Sequence, residues 1–225
     1  MPELKLFVAT NTCARGPTIA LEEIGVPFET ELIRTAAGQQ NSPEYLAVNP
    51  KGKVPALLVD GEPLTENVAI LRWLNQTYPD AGLLPPVSDD FEAARQTADL
   101  AFFSATVHPL VTRIAMPMKF ISGEQQAFDL IRPKGTEAMT PVMAMIDRRL
   151  ADRQWWYGDE WSVVDGYLFW AWSRITGVGF PDDQFPNIRD HAERSMQRPA
   201  VARAMQREAV HIEQLKSEGV YRAPR

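Results

Sequence analysis

The chain has 225 residues, enough for one large domain or two small ones. Its 45% apolar and 23% charged residues are typical of a folded globular protein and exclude a mostly disordered chain. The formal net charge of −6 argues against nucleic-acid binding by bulk electrostatics, and no apolar run reaches the length of a membrane span. The single cysteine, Cys13, excludes an internal disulfide and a cysteine-cluster metal site. With no basic segment ahead of the first strand to suggest a secretory signal, we predict a cytoplasmic protein.

The first fifty residues predict alternating strands and helices. Leu4–Ala9 is rich in β-forming residues and Phe28–Ile33 alternates apolar and polar residues, so each predicts a strand. Pro17–Ile24 begins with a proline, which suits a first helical turn, and stops before a glycine. Ser42–Leu46 predicts a short helical turn, and Asn49–Gly52 has the proline and glycine of a tight turn.

A hairpin and a third helix are predicted next. Val54–Val59 and Glu62–Leu64 flank the Asp-Gly dipeptide at 60–61, which is typical of a two-residue hairpin. Thr65 is predicted to cap a helix that continues through Tyr78. The predicted order of elements is therefore βαβαββα.

The rest of the chain predicts helices. Pro79–Asp90 holds three prolines and is predicted to be a linker, so the domain boundaries fall at 1–79, 80–90 and 91–225. Five helices are predicted after it: Phe91–Met116, broken near His108 and Pro109, then Glu124–Asp152, Ser162–Ile175, Phe185–Gln197 and Pro199–Glu218. The segment from Ser162 to Asp165 resembles a capping box. The fold class predicted is an α/β unit followed by an all-α domain.

Cys13 lies between the first predicted strand and the first predicted helix. The partial positive charge and free N–H groups of a helix N-terminus favour a thiolate, which is the reactive form of cysteine. Arg15 adds a nearby cation. The alternative is a buried, inert cysteine.

Glu66 and Asn67 lie at the start of the predicted third helix. Backbone N–H donors at a helix N-terminus bind anions, and a carboxylate beside them holds an ammonium group. The pair is therefore suited to the zwitterionic head of an amino acid. Plain helix capping is the alternative interpretation.

The Val54-Pro55 bond is a candidate cis peptide. A cis proline here would leave the backbone N–H and C=O of Val54 available to pair with an extended ligand. An ordinary trans bond at a strand start or edge is the alternative.

The three histidines show no metal-ligand spacing, so no metal site is predicted. His108 precedes a proline in the first long helix and either faces a cleft or is a solvated or capping residue. Bulky apolar residues of the helical part either line a substrate pocket or fill the core: Met116, Met118, Phe120, Trp161, Tyr167, Trp170 and Trp172.

Three segments together resemble the cytosolic glutathione transferases. They are NPKGKVPALLVDGEPLTENVAI within a thioredoxin-like βαβαββα unit, the proline-rich linker, and WSVVDGYLFW at the start of a helix of the all-α domain. The resemblance covers about residues 4–210. KLFVATNTCARGPTIALEE, with its cysteine just before the helix, is most similar to the bacterial beta class, which also carries a histidine where His108 stands.

The resemblance implies that glutathione is the co-substrate. It implies that Val54 pairs by its backbone with the cysteinyl unit, that Pro55 is the cis proline, and that Lys53 lies near the glycyl end. It also implies that Glu66 and Asn67 hold the γ-glutamyl head.

Near the glutathione sulfur, the resemblance implies that Cys13 can form a mixed disulfide and that His108 closes the site from the α domain. A homodimer is also implied. The substrate pocket is assigned to Arg15, Met116, Phe120 and Trp170, which would hold a small hydrophobic electrophile.

The glutathione-binding positions depart from the family pattern in two places. Asn67 replaces the more usual serine or threonine, although its amide can still donate to a carboxylate. The segment 34–42 lacks a lysine for the glycyl carboxylate, and Gln39 or Gln40 is the substitute.

The strand-to-helix loop departs as well, because it contains no tyrosine to activate a thiol. Asn11 falls about where other classes carry a catalytic serine. Thr10, Asn11 and Thr12 therefore remain rival stabilisers of the thiolate.

Three functions follow as hypotheses. The first is conjugation of the glutathione thiolate to an electrophilic carbon of an apolar or aromatic substrate. The second is thiol–disulfide exchange or thioether cleavage through a mixed disulfide of Cys13. The third is a non-catalytic protein that binds glutathione or hydrophobic ligands.

Overall fold

The structure is a computed structural model that describes residues 1–121 and 125–223. Its described residues form two compact units. The first comprises Met1–Leu83 together with Gln197–Ala223, and the second comprises Leu84–Met196.

The first unit contains a four-stranded mixed sheet and the expected βαβαββα order is confirmed. Its elements are β1 (Leu4–Val8), α1 (Arg15–Ile24), β2 (Glu29–Leu32), α2 (Pro43–Val48), β3 (Ala56–Val59), β4 (Glu62–Thr65) and α3 (Asn67–Thr77). The strand order is β2-β1-β3-β4, with β1 parallel to β2 and the other two pairs antiparallel. The loop after β1 and the start of β3 therefore lie on neighbouring central strands.

Apolar side chains from the sheet and from its helices form the core of this unit. Leu6 and Leu57 of the central strands are fully buried, as are Ile19 on α1 and Ile70 and Leu74 on α3. Removing such surface from water is the main stabilising contribution to a small α/β unit. It fixes α1 and α3 against the sheet, and the N-termini of these two helices carry several of the candidate site residues.

The start of α3 differs from the prediction. Thr65 is the last residue of β4, where it pairs with Ala56, and Glu66 is the residue that precedes the helix. The predicted threonine cap is wrong because sheet pairing, a tertiary interaction, overrides the local capping preference of Thr65. The Thr65 hydroxyl instead accepts a hydrogen bond from Lys51 Nζ at 2.8 Å.

The last helix, α9 (Pro199–Ser217), belongs to the first unit, whereas the sequence analysis placed the whole of 91–225 in one helical domain. Its buried small side chains, Ala200, Val201 and Ala204, allow close helix packing. Its arginines pair with acids at the end of α1. These ion pairs are Arg198–Glu23, Arg203–Glu22 and Arg207–Glu22.

The described part of the second unit is helical, apart from an isolated bridge between Trp155 and Gly158. The α-helices between the linker and α9 are α4 (Asp90–Phe102), α5 (His108–Ala115), α6 (Gln125–Leu150), α7 (Val163–Thr176) and α8 (Pro186–Gln197). The predicted break near His108 is not seen as an interruption. The chain stays helical through a π-helical segment, Phe103–Val107, after which Pro109 occupies the first turn of α5. Glu124, the predicted start of the next helix, lies outside the described residues.

Asp165 organises the start of α7 from the interior of the second unit. Its carboxylate accepts hydrogen bonds from the N–H of Trp156 at 2.7 Å, from the N–H and hydroxyl of Ser162 at 2.8 Å each, and from His191 Nε2 at 2.9 Å. A buried carboxylate needs several donors of this kind. The acid of the predicted capping box thus also ties α8 to α7. Among the described helices, none is long and apolar enough to cross a membrane.

Candidate active site

Cys13 lies at the point where three segments of the first unit converge. It ends the loop after β1, two residues before α1, and is 7% exposed. Its Sγ lies 3.8 Å from the carbonyl oxygen of Val54, and its own carbonyl oxygen accepts a hydrogen bond from Asn67 Nδ2 at 3.1 Å. The structure therefore brings together residues that the sequence analysis assigned to the thiol, to the ligand backbone and to the amino-acid head.

The segment before β3 presents backbone groups next to Cys13. The Val54–Pro55 peptide bond is cis. Within the described part of the chain, the Val54 N–H has no hydrogen-bond partner. The preceding carbonyl, that of Lys53, accepts hydrogen bonds from the Tyr45 hydroxyl at 2.5 Å and from Asn49 Nδ2 at 2.6 Å. Burial raises the pKa of Tyr45 to about 12, so its hydroxyl stays protonated and donates at neutral pH.

Glu66 and Asn67 have different environments although they are adjacent. Glu66 adopts a φ of 76° and its side chain is 69% exposed, with Lys51 Nζ 2.5 Å from Oε1. Asn67 is buried, and its Oδ1 has no hydrogen-bond partner among the described residues, while its Nδ2 donates to the Cys13 carbonyl oxygen. A carboxylate at the surface and a buried amide thus flank the first N–H groups of α3.

The two glutamines proposed for the glycyl end lie in the segment between β2 and α2. Gln39 Oε1 accepts a hydrogen bond from the Arg34 N–H at 2.8 Å, which uses its oxygen to hold the loop. Gln40 Oε1 is buried and finds no hydrogen-bond partner in residues 1–121 and 125–223. Lys53, by contrast, is exposed at the start of the Val54 segment.

The three rival thiolate stabilisers have different roles in the loop after β1. The Thr12 hydroxyl donates to the Ala9 carbonyl at 2.7 Å and accepts from the Ala14 N–H at 3.4 Å, so it stabilises the turn itself. Asn11 adopts a φ of 60°, and its N–H donates to Glu208 Oε1 at 2.5 Å. Thr10 lines a small cavity together with Arg15 and Glu208.

Glu208 on α9 is a site residue that sequence reasoning missed. Its second oxygen, Oε2, lies 2.9 Å from Arg15 Nε, and both side chains are largely buried. Arg15, which was assigned to the substrate pocket, is therefore held by an ion pair with the last helix. Glu208 lies 197 residues from Asn11 and 193 from Arg15, so no local sequence pattern could have signalled these contacts.

The second unit brings His108 and Trp170 together. His108 Nδ1 lies 3.2 Å from the Tyr167 hydroxyl, and its ring centroid is 4.6 Å from that of Trp170. Burial, with a smaller contribution from the positive charge of Lys119, lowers the pKa of His108 to about 4, so the ring is neutral at pH 7. Met116 is half-buried at the end of α5, and Phe120 is 51% exposed in the segment that follows.

Two family models match the chain. The glutathione S-transferase N-terminal domain matches residues 12–77, and the glutathione S-transferase C-terminal domain matches residues 103–199. The architecture is thus that of the cytosolic glutathione transferase superfamily, with a thioredoxin-like unit followed in the chain by a helical one. The chain belongs to the glutathione S-transferase family, and it is an enzyme of that family.

Two related proteins match most of the chain. Glutathione S-transferase GstA of Escherichia coli O157:H7 is 28% identical over 92% of this chain and 100% of its own length. A maleylacetoacetate isomerase of Pseudomonas aeruginosa is 30% identical over 86% of this chain and 91% of its own length. The family therefore includes relatives named for a different reaction, an isomerisation.

Solved structures agree with the fold. A glutathione transferase homolog from Sulfitobacter with bound glutathione superposes with a TM-score of 0.81 at 28% identity, covering 92% of this chain and 99% of its own. A bacterial beta class glutathione S-transferase from Sphingomonas chungbukensis gives 0.78 at 32% identity, covering 91% and 98%.

Proposed function

We propose that this enzyme conjugates the thiolate of glutathione to an electrophilic carbon of an apolar or aromatic substrate. The observation that carries the proposal is the position of Cys13 Sγ, 3.8 Å from the carbonyl oxygen of Val54, beside a Val54 N–H without a partner in the described chain. An extended thiol peptide that pairs with Val54 would bring its own sulfur next to Cys13. The glutathione bound in the Sulfitobacter relative supports the choice of peptide.

Glutathione binding is assigned to the first unit. Val54 pairs with the cysteinyl unit, and the exposed Lys53 attracts the glycyl carboxylate. At the other end, the Glu66 carboxylate binds the γ-glutamyl ammonium, while the first N–H groups of α3 and the Asn67 amide face the γ-glutamyl carboxylate. Gln39 and Gln40 are further polar groups near the glycyl end.

The reaction is a displacement at carbon. The glutathione thiol loses its proton to solvent, and donors near the N-terminus of α1 stabilise the thiolate. Its sulfur then forms a bond to the electrophilic carbon, and the bond from that carbon to the leaving group breaks with its electron pair. Proximity of the two reactants supplies much of the acceleration of such a displacement. For the apolar substrate we assign Met116, Phe120 and Trp170, with neutral His108 as a polar neighbour.

Thiol–disulfide exchange is the second candidate, and the same short distance from Cys13 Sγ to Val54 supports it. The Cys13 thiolate would attack the glutathionyl sulfur of a mixed disulfide and displace the other thiolate. A second glutathione thiolate would then attack the Cys13–glutathione disulfide and release oxidised glutathione. The chain has one cysteine, so the resolving thiol must be external.

Cys13→Ala and the isosteric Cys13→Ser separate these candidates. We expect both variants to bind glutathione and to conjugate a chlorinated nitroarene at a rate close to that of the wild type, while reduction of a glutathionyl disulfide is lost. Loss of both activities in both variants would make Cys13 essential to conjugation. If calorimetry shows no saturable binding of glutathione at millimolar concentration, the proposed function fails, whereas binding without either activity favours a ligand-binding protein.

A homodimer in the cytoplasm completes the proposal. Both properties are carried over from the family resemblance, and sedimentation equilibrium tests the first directly.

A further inference from the structure

Lys51 makes the contact at Glu66 that the proposed function assigns to the ligand. Its Nζ lies 2.5 Å from Glu66 Oε1 and donates a hydrogen bond to the Thr65 hydroxyl at 2.8 Å. The γ-glutamyl head of glutathione carries the same chemical group, an ammonium with three N–H donors. Glu66 and Thr65 together therefore form an ammonium subsite, and a side chain of the protein itself occupies it.

The backbone holds the three residues of this contact in place. The Lys51 N–H donates to Asn49 Oδ1 at 3.2 Å, and Asn49 is buried. Thr65 is fixed by its pairing with β3. Glu66 has a left-handed φ of 76°, and its carbonyl oxygen accepts the N–H of Ile70 in the first turn of α3. The subsite is therefore preformed at the start of α3.

The Lys51 side chain can leave the subsite at little cost. The side chains of Lys51 and Glu66 are 46% and 69% exposed, so water replaces their contact when it opens. An exposed ion pair of this kind contributes little free energy. The ligand ammonium, in contrast, belongs to a peptide that also pairs with Val54, which raises its effective concentration at the subsite. The ligand therefore displaces Lys51.

The displacement reduces the affinity that the ligand ammonium contributes. Two like charges about 4 Å apart in water repel by an amount that corresponds to about fivefold in affinity. Two ammonium groups on one carboxylate therefore repel each other, and Lys51 has to move away when the ligand binds. The contact that Lys51 loses offsets part of the contact that the ligand gains.

We propose that Lys51 is a specificity-determining residue, an internal competitor that occupies the ammonium subsite of Glu66 and Thr65 until the amino group of the ligand displaces it. This role rests on the glutathione transferase function proposed above, because the competing ammonium is that of glutathione. It sets how strongly the site distinguishes ligands that carry a free amino group from ligands that lack one. Lys51 makes this discrimination smaller.

The discrimination is measured with glutathione and with glutaryl-cysteinylglycine, which lacks only the amino group. Calorimetry at low salt gives the dissociation constant of the analogue divided by that of glutathione. Both ligands carry the same carboxylates, so a general attraction of Lys51 for anions cancels in this ratio. We expect Lys51→Gln to raise the ratio about threefold, because the ligand ammonium then meets no competing cation. Lys51→Arg keeps a cation beside Glu66 and should leave the ratio close to that of the wild type.

Lys5→Gln is the matched control for the change in charge. Lys5 belongs to the same unit and pairs with Glu29 and Glu31, which are not site residues. Its replacement removes one positive charge, as Lys51→Gln does, and should leave the ratio unchanged. Glu66→Gln should bring the ratio close to one, because the charged partner of the amino group is then absent.

Acylation of lysines by an N-hydroxysuccinimide ester follows the displacement directly. Mass spectrometry measures the labelling of Lys51, Lys53 and Lys5 separately. Glutathione should increase the labelling of Lys51, which loses its carboxylate partner, and decrease that of Lys53, which is assigned to the glycyl carboxylate. The analogue should decrease the labelling of Lys53 alone, and Lys5 is the internal reference.

An unchanged or lower ratio in Lys51→Gln would overturn the proposal, because Lys51 would then have no effect or would position Glu66 for the ligand. Equal ratios in Lys51→Gln and Lys5→Gln would also overturn it. If the wild type binds both ligands equally well, the role of Lys51 is wrong while glutathione binding stands. If calorimetry detects no saturable glutathione binding at millimolar concentration, the proposed function fails together with this role.

Discussion

Asn67 Nδ2 donates a hydrogen bond of 3.1 Å to the carbonyl oxygen of Cys13, and both residues are buried. The bond ties the N-terminus of α3, where an amino-acid head would bind, to the backbone of the thiol loop. With Glu208 holding the same loop through Asn11, the position of Cys13 is fixed by two side chains from distant parts of the sequence.

Replacing Asn67 tests the first of these two anchors. Asn67→Ala leaves the Cys13 carbonyl without its donor and should lower the free energy of unfolding by about 1–3 kcal/mol and weaken glutathione binding. Asn67→Asp should weaken binding further, because it sets a carboxylate against the Cys13 carbonyl and the γ-glutamyl carboxylate. Urea unfolding and calorimetry measure the two effects. Asn187→Ala removes the hydrogen bond from Asn187 Nδ2 to Asp147 Oδ2 in the other unit, and it should lower stability without changing glutathione affinity.

Glu66 should affect binding but not stability. Glu66→Gln should weaken glutathione binding about tenfold, since the ligand ammonium loses its charged partner. Its ion pair with Lys51 is exposed on both sides, so stability should change by less than about 1 kcal/mol. Lys51→Gln is the control, because it removes the same ion pair but keeps the carboxylate. Equal loss of affinity in both variants would assign the role to the ion pair and remove Glu66 from the ligand site.

Gly52 is required by crowding as well as by its backbone conformation. Its φ is 59°, and an added Cβ would lie 3.1 Å from the Gln40 carbonyl oxygen and 3.2 Å from Asn41 Oδ1. Gly61 has a φ of 89° and open space around it. Both alanine variants should lower the free energy of unfolding by about 1–2 kcal/mol because of the left-handed conformation, and Gly52→Ala should lower it further because of the crowding. Thermal unfolding compares them; equal losses would mean that the neighbours of Gly52 give way freely.

The low pKa of His108 makes stability depend on pH. The folded protein holds this ring neutral down to about pH 4, whereas the unfolded chain protonates it near its ordinary value of 6.5. The unfolded state therefore binds more protons between these values, and stability is lost as pH falls through this window. From about pH 7 to about pH 5 the loss amounts to about 2 kcal/mol.

His108→Gln should remove this part of the loss in unfolding free energy between about pH 7 and about pH 5. Urea unfolding at both pH values measures the loss. Burial also lowers the pKa of His211, so this ring adds to the loss of stability at acidic pH, and it is still present in His108→Gln. His211→Gln is therefore the comparison. If His108→Gln and the wild type lose the same stability between these pH values, His108 does not cause the loss.

Local chemistry by itself determined much of the fold. The Asp-Gly pair at 60–61 forms the predicted hairpin turn with φ values of 50° and 89°, and Gly25 ends α1 in the left-handed conformation. The acid of the capping box, Asp165, also takes its predicted place. These features follow from turn residues, caps and apolar periodicity, which act over a few neighbouring residues. The same rules placed Cys13 just before the first helix.

Only the tertiary structure decided how the site is held. Thr65 has the chemistry of a cap, but pairing with Ala56 commits it to a strand. Asn67 meets Cys13 across 54 residues, and Glu208 meets Asn11 across 197. A hydrogen bond depends on the distance between two groups in space, which no local pattern along the chain encodes. The sequence could therefore name the thiol, while packing of the first and last helices selected the side chains that position it.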